Sequence, residues 1–546
     1  MIFSIYKIPR MTRALELKNV FLRSLVFIIC FTSSFISIAQ YQPVDPLYRE
    51  WIRQADGDSI TPGMGYWPLD PLTACKLITI DTPRHTGLFN GKTRPMLWQY
   101  HSNDLNFTVI PIINFTYSKG NNSYSQHEDL RGLKIQGDLD KKLIFGVSFY
   151  ENSALLPYWV DSIARKHSFV PQEGLGVPYP NGTWDVSSTE AWLQYLCSPH
   201  FSVIGGYGRQ FIGYGYRSLL LGDGISNYPY LRLDWHSGPW RYEVSYNQFL
   251  NPGYQIPFAY GSATFQRKNS VIHYLSFTTG KNFEIGLFEQ ILWVASDSNY
   301  NRGTELQYLN PIIFLHQVGY AIGSPDNDLI GGQATYKIGK NTRIYSQLAI
   351  DDFSISQTIS HHELNLTDKY AFQLGVSKNK LFNQDGLNTR LEWNTARPFI
   401  YGHRDISLNY TQGDQSLADP LGANFHEFIF QLSYKKNKMY GLFEQLYAIQ
   451  GKDEPGFLSG QNLWGGEANV PFYGDYTLQG RKCNLSYTSL TAGYILNKAN
   501  ELSIELSAIF RYYKEASDIT DPALSQKQVI VQLAIKSLFI SRYQDY

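Results

Sequence analysis

Residues 211–235, FIGYGYRSLLLGDGISNYPYLRLDW, carry glycines at alternate or near-alternate places. Such spacing raises the question of phosphate chemistry. A phosphate cradle needs a strand, a tight glycine turn and a helix whose N-terminus faces the anion. Gly213-x-Gly215 and Gly222-x-Gly224 complete neither the dinucleotide nor the P-loop spacing, and no Gly-Lys-Ser/Thr follows. Tyr228, Tyr230, Leu231, Leu233 and Trp235 come next and read as a strand. A nucleotide site is therefore not expected here.

Carboxylates offer a second chemistry. Asp351 and Asp352 follow the run TRIYSQLAI (342–350), and on alternation Arg343, Tyr345, Gln347 and Asp351 share one face. A glycosidase needs two carboxyls roughly 5–9 Å apart across a sugar. Neighbours on a strand point to opposite faces, so this pair is not that dyad. It reads as a solvated strand end, or as a polar end that binds a glycan or holds a loop. SPDNDLIGG (324–332) offers oxygen ligands without EF-hand spacing. His361 and His362 are adjacent, not the i, i+4 pair of a helical zinc site. No Gly-x-Ser-x-Gly and no cysteine–histidine signature occurs. No catalytic residue, metal or cofactor is expected. What remains is rings with amides and arginines: Tyr207, Tyr214, Tyr216, Tyr228, Tyr230, Trp235, Trp393 and Tyr401 with Gln210, Asn227, Arg217 and Arg397. This mixture suits sugar recognition, and it suits a structural girdle equally well.

The elements that must position these groups are strands. Lys18 and Arg23 precede an apolar run from Leu25 to Ile38, and Ser37-Ile38-Ala39 fits a signal cleavage site before Gln40. Residues 1–39 are read as a cleaved export signal. No other window approaches the ~20 apolar residues of a membrane helix, so any span must be built of strands. Aromatics make up 15% of the chain against 17% charged residues, as in a barrel with aromatic girdles. The 47 basic and 47 acidic residues leave no electrostatic footprint for nucleic acid. The mature chain keeps Cys75, Cys197 and Cys483, and no pairing among them is assigned.

Alternation recurs along the chain. Phe107, Val109, Ile113, Phe115 and Tyr117 oppose Thr108, Asn114, Thr116 and Ser118; Val529, Val531, Leu533 and Ile535 oppose Gln528, Gln532 and Lys536. In a sandwich the apolar face is inside, and in a membrane barrel it is outside; alternation alone does not choose. The connections do. IGKNTRI (338–344), TGKNFEI (279–285), YKKNKMY (434–440) and LNKANELS (496–503) read as tight turns, while 152–188, 294–304, 354–368, 412–424 and 450–479 read as long polar loops. Short turns at one rim and long loops at the other mark an outer-membrane barrel, with roughly 16–20 strands for this length. A last strand over about 526–540 is where a barrel-assembly signal lies, placing the assembly machinery among the partners. GLFEQ at 286–290 and 441–445 predicts two strands rising equally from one rim. Alternation from Phe283, Ile285 and Leu287 sends Glu289 toward lipid unless a bulge after Leu287 turns it inward. Pro111 is a second counter-signal, since proline removes a ladder donor. DPLYREWIRQ (45–54) reads as a short helix within an irregular, periplasmic or lumenal segment 40–100 that precedes the barrel, 101–546.

GRQFIGYGYRSLLLGDGISNYPYLRL (208–233), ELQYLNPIIF (305–314), SPDNDLIGG, YSQLAIDDF (345–353), RPFIYGH (397–403) and LADPLGANFHEF (417–428) together resemble the capsule assembly family named for Wzi, in particular its gliding-motility, RemB-like branch. The resemblance implies an all-β transmembrane antiparallel barrel of about 18 strands in a Gram-negative outer membrane. It implies a non-catalytic, lectin-like role in holding surface polysaccharide, with movement and adhesion in its motility members. Gly213, Gly215, Gly222 and Gly224 are then expected to let a strand leave the wall and fold across the lumen or rim. Tyr214, Tyr216, Arg217 and Asp223, with Gln347, Asp351 and Arg397, are the candidate glycan-binding residues. A small-solute channel, which requires an open lumen, and a secreted glycosidase are the competing readings. Oligomeric state is left open.

Overall fold

Alternation becomes a wall. In the computed structural model, the described residues are 49, 52, 53, 60–69, 98–121, 125–257, 263–295, 303, 305–312, 326–352, 366, 368–467, 470, 473–497, 502–516, 527–537 and 542–546. Among them 18 long strands pair antiparallel with their sequence neighbours and close into a barrel. They are β1 Leu105–Gly120, β2 Ser125–Leu139, β3 Leu143–Ala154, β4 Trp184–Ser198, β5 Phe201–Gly208, β6 Tyr228–Ser237, β7 Trp240–Pro257, β8 Ala263–Thr279 and β9 Phe283–Val294. The circuit continues through β10 Asn327–Ile338, β11 Thr342–Asp352, β12 Lys369–Lys378, β13 Leu387–Ala396, β14 Phe425–Lys436, β15 Met439–Lys452, β16 Arg481–Asn497, β17 Leu502–Glu515 and β18 Lys527–Ser537, which returns to β1.

The apolar face is the outer one. Phe115, Tyr117, Val529, Val531, Leu533 and Ile535 are exposed, while Asn114, Ser118, Thr108 and Gln126 are buried inside. A soluble sandwich inverts this arrangement; a barrel in lipid requires it. The connections 140–142, 199–200, 238–239, 280–282, 339–341, 379–386 and 437–438 lie at one rim, and the turn expected at 496–503 has its middle outside the described residues. At the other rim the strands are separated by longer stretches of sequence, 155–183, 209–227, 295–326, 353–368, 397–424 and 453–480, and by the shorter 121–124 and 258–262. Left-handed Gly238, Gly280, Gly339 and Asn437 make the short turns, where a side chain other than glycine or asparagine is strained. The expected rim asymmetry is therefore present.

Pro111 is accommodated by the seam. Strand Trp98–His101 pairs with β1 only up to Val109, and β18 pairs with it only from Asn114. Pro111 sits in the gap between those partners, where one edge of β1 has no ladder to interrupt.

Glu289 departs from expectation. The register of β9 runs without a shift against both neighbours, and Glu289 stands opposite His273. No bulge turns it inward. It shares the outer face with Ile285 and Leu287, yet it is fully buried, as is His273. The wall bears a covering there, so the carboxylate never meets lipid.

The segment 155–183, read as loop, contains the helix Tyr158–His167. Asp161 in its first turn and Arg165, Lys166 and His167 in its last match the helix dipole. Trp159, Val160 and Ala164 form its buried face. Of the helix predicted over 45–54, Arg49, Ile52 and Arg53 are described, and all three are helical. The export signal 1–39, Cys75 and His361–Glu363 lie outside the described residues. Cys197 and Cys483 are free thiols.

Candidate functional site

The glycine-rich connection 209–227 does not rise from the rim. It folds into the lumen, and nearly every residue from 208 to 226 is buried. Phe211–Ile212 pairs antiparallel with Tyr66–Trp67, so the N-terminal segment enters the lumen with it. Leu219, Leu220, Leu221 and Ile225 pack with Phe288 and Leu292 of the wall and with Ile400, Tyr401, Tyr410 and Leu417 from 397–424. With Leu463 of 453–480 in the same cluster, three connections and the wall share one core inside the barrel. This is a plug built from loops.

The wall grips the plug by its backbone. Gln347 on β11 accepts from the Leu219 amide at 2.8 Å and donates to the Ile212 carbonyl at 2.9 Å. Glu392 on β13 accepts from the amides of Tyr216 and Arg217 at 2.7 and 3.0 Å, and from the Tyr345 hydroxyl at 2.7 Å. Glu284 on β9 accepts from the Tyr214 hydroxyl at 2.7 Å and the Gly63 amide at 3.2 Å. Tyr401 and Tyr410 donate to the carbonyls of Leu219 and Leu220. A folded-in loop carries backbone polar groups that water no longer reaches, and inward amides and carboxylates satisfy them.

Two buried arginines tie the assembly together. Arg217 lies 3.3 Å from Glu427 of β14, 3.0 Å from Asp545 and 4.0 Å from Asp419. Arg49 lies 2.6 Å from Asp223, with its guanidinium 3.6 Å over the Phe211 ring. Burial opposes the Arg49 charge, but Asp223 and Tyr543 outweigh it and hold the group above its ordinary value. Burial likewise pushes the Asp419 carboxyl up, with Arg217 pulling it back.

Residues 542–546 complete the plug. β18 stops at Ser537, level with the middle of β1, and residues 542–546 lie inside the barrel. Arg542 pairs with Glu128 and with Glu173. Tyr543 donates to Asp223 at 2.7 Å, and Tyr216 donates to Asp545 at 3.0 Å. Beside the tail lies a polar cavity of about 230 Å³ lined by residues such as Arg390, Glu444, Tyr487, Glu505 and Lys536.

The predicted site residues are therefore together, but as plug and not as open surface. Tyr214, Tyr216, Arg217, Asp223, Gln347 and Arg397 are all buried, with partners within the protein. Arg397 donates to the carbonyls of Asp368 and Asp475. Asp351 accepts from the Tyr401 amide at 2.8 Å, which is the loop-holding reading of that strand end. The sequence reading missed Glu284, Glu392, Glu427, Arg49 and Tyr543. The signal for the first three was parity, since each carboxylate sits at an inward position of an alternating strand. Nothing local marked Arg49 or Tyr543. Among the described residues, no three His, Cys, Asp or Glu are grouped to hold a metal ion.

The glycines fit the close approach. A Cβ on Gly215 would lie 2.6 Å from a Glu392 oxygen and 2.8 Å from the Arg217 carbonyl; one on Gly222 would lie 2.5 Å from the Ala418 carbonyl. Gly215→Val is expected to destabilise the plug by about 1–3 kcal/mol through overpacking. Gly205→Val, on β5 with open space around it, serves as the control. Thermal unfolding of the two purified variants checks this. Equal melting temperatures would remove the close-packing argument.

No family model matches the chain, and no curated protein matches it in sequence. In structure it is similar to Wzi of Escherichia coli, described as an outer-membrane protein involved in group 1 capsule assembly and as a carbohydrate-binding β-barrel. The TM-score is 0.53 at 13% identity, covering 91% of this chain and 99% of that one. Pseudomonas aeruginosa OprD is less similar, with a TM-score of 0.41 at 9% identity over 79% of this chain and 94% of that one. Acinetobacter baumannii OccAB2 gives 0.42 at 10% identity over 80% and 99%. At 13% identity the likeness to Wzi bears on the fold, and it agrees with the 18-stranded antiparallel barrel.

Proposed function

We propose that this chain is a non-enzymatic barrel of a Gram-negative outer membrane that binds or organises surface polysaccharide. Capsule retention of the Wzi kind and surface movement or adhesion of the RemB kind are the two roles that such binding serves. The protein is exported by a cleaved signal and inserted by the barrel-assembly machinery.

The observation that carries this reading is the plug. Wall-bonded loops in the lumen offer a fixed surface and narrow the passage through it, which favours a binding role over a small-solute channel. The carboxylates nearest to a catalytic pair, Asp419 and Glu427, are both fully buried around Arg217. A sugar has no access to them, which favours binding over hydrolysis. Tyr214, Tyr216, Arg217, Asp223, Gln347, Asp351 and Arg397 act by holding the plug and so fixing the loops above it. Direct glycan contact is assigned to rings exposed on those loops, Tyr179, Phe457, Tyr473 and Tyr476, which offer flat faces to sugar C–H groups.

The test is cell-bound against shed polysaccharide in a deletion strain and its complemented parent. The expected result is unchanged total polysaccharide with a larger shed fraction. An unchanged cell-bound fraction would discard anchoring and move adhesion, motility or solute transport to the front.

A further inference from the structure

The plug leaves one motif unused. Residues 305–312 belong to ELQYLNPIIF, and they do not enter the lumen. Tyr308 is fully buried against Trp293 of β9, with ring centroids 5.0 Å apart, and it clusters with Val244, Val271 and Ile291. The Tyr246 hydroxyl donates to the Leu309 carbonyl at 2.8 Å. Trp293 and Asn269 both donate to the Gly303 carbonyl. Each wall residue in this set lies on the outward parity of β7, β8 or β9, so the segment lies on the outside of the barrel.

We propose that this segment is a lipid-facing foot whose Leu306, Leu309 and Ile312 contact acyl chains of the leaflet beside the long-loop rim. Leu306–Leu309 is a turn of 3₁₀ helix, in which residues i and i+3 lie along one edge. Tyr308 points to the wall, while Leu306, Leu309 and Ile312 remain 76%, 40% and 65% exposed. The exposed apolar wall continues on both sides, through Leu231 of β6 and Ile330 of β10. Between them the outer face carries the apolar patch that seats Tyr308 and, beside it, two polar groups. His273 accepts or donates to the Tyr242 hydroxyl at 2.7 Å, and Glu289 stands opposite His273 on the same outer face. Hydrocarbon against those groups is costly. The foot seats Tyr308 beside those groups and turns Leu306, Leu309 and Ile312 outward, and Gln307 and Asn310 are exposed with them, as in interfacial segments. Acyl chains are the occupant because the surface continues the band that already faces lipid.

The experiment places a benzophenone amino acid at Leu306, Ile312 or Gln307 of the full-length protein. Each protein is irradiated in vesicles of phosphatidylethanolamine and phosphatidylglycerol, and its adducts are identified by mass. Heat-modifiable gel mobility verifies folding, and a protein that resists reconstitution is irradiated in whole cells before extraction. The expected result is severalfold more lipid adduct at 306 and 312 than at 307. Equal yields at all three positions would overturn the proposal. So would adducts to a second copy or to another protein.

Discussion

Arg217→Ala is expected to unlock the plug and turn a closed barrel into a conducting one. Arg217 is buried, and Glu427, Asp419 and Asp545 surround it. Removing the cation leaves three carboxyl groups in low dielectric without their partner. Breaking a buried pair in this way costs about 3–5 kcal/mol. The wall keeps its ladders, so the loss falls on the plug. Arg217→Lys retains the charge but loses the fork that reaches several oxygens, and it should lie between the two. Conductance in planar bilayers and thermal unfolding read the outcome. The parent should show no steady current, and Arg217→Ala should show current or a large fall in melting temperature. Combining Arg217→Met with Glu427→Gln and Asp545→Asn should recover part of the loss, because fewer charges remain unpaired. If Arg217→Ala neither conducts nor melts earlier, the arginine does not hold the plug.

Ending the chain after Ser537 is the second change with a large expected effect. The truncation spares β18 and its ladders to β17 and β1. It removes Arg542 from Glu128 and Glu173, Tyr543 from Asp223, and Asp545 from Arg217 and Tyr216. Glu173 then keeps the Asn152 amide, and Arg217 keeps Glu427 and Asp419. Each uncompensated buried charge carries a penalty of about 3–5 kcal/mol. The barrel should still insert and still migrate as a folded species. The plug should become a protease substrate within 209–227, where the buried segment of the parent should resist cleavage. A truncated protein as protease-resistant as the parent would show that the tail rests in the lumen without securing it.

Much of the wall was legible because its causes are local. Period-2 alternation reports which residues share a face, and glycine and asparagine report tight turns within a few positions. Phe115 and Tyr117 against Asn114 and Ser118, the short turns at 280–282, 339–341 and 437–438 and the final strand all followed from such signals. Phase within a strand was less secure. GLFEQ follows a turn asparagine by the same spacing in both copies, yet Glu444 points inward and Glu289 outward. One residue of register reverses every side chain, and the turn that sets it is read only to within a residue or two. Glu289 itself required knowledge of what lies over the wall.

The sequence by itself determined that the chain forms strands, that short turns alternate with long loops, and that Gly213, Gly215, Gly222 and Gly224 belong to a segment leaving the wall. Only the tertiary structure decided where that segment goes and what holds it. Arg49 meets Asp223 across 174 positions, and Tyr216 meets Asp545 across 329. No spacing rule spans such separations. A buried charge takes the partner that barrel closure brings near, so its meaning is fixed by closure and not by its neighbours in the chain.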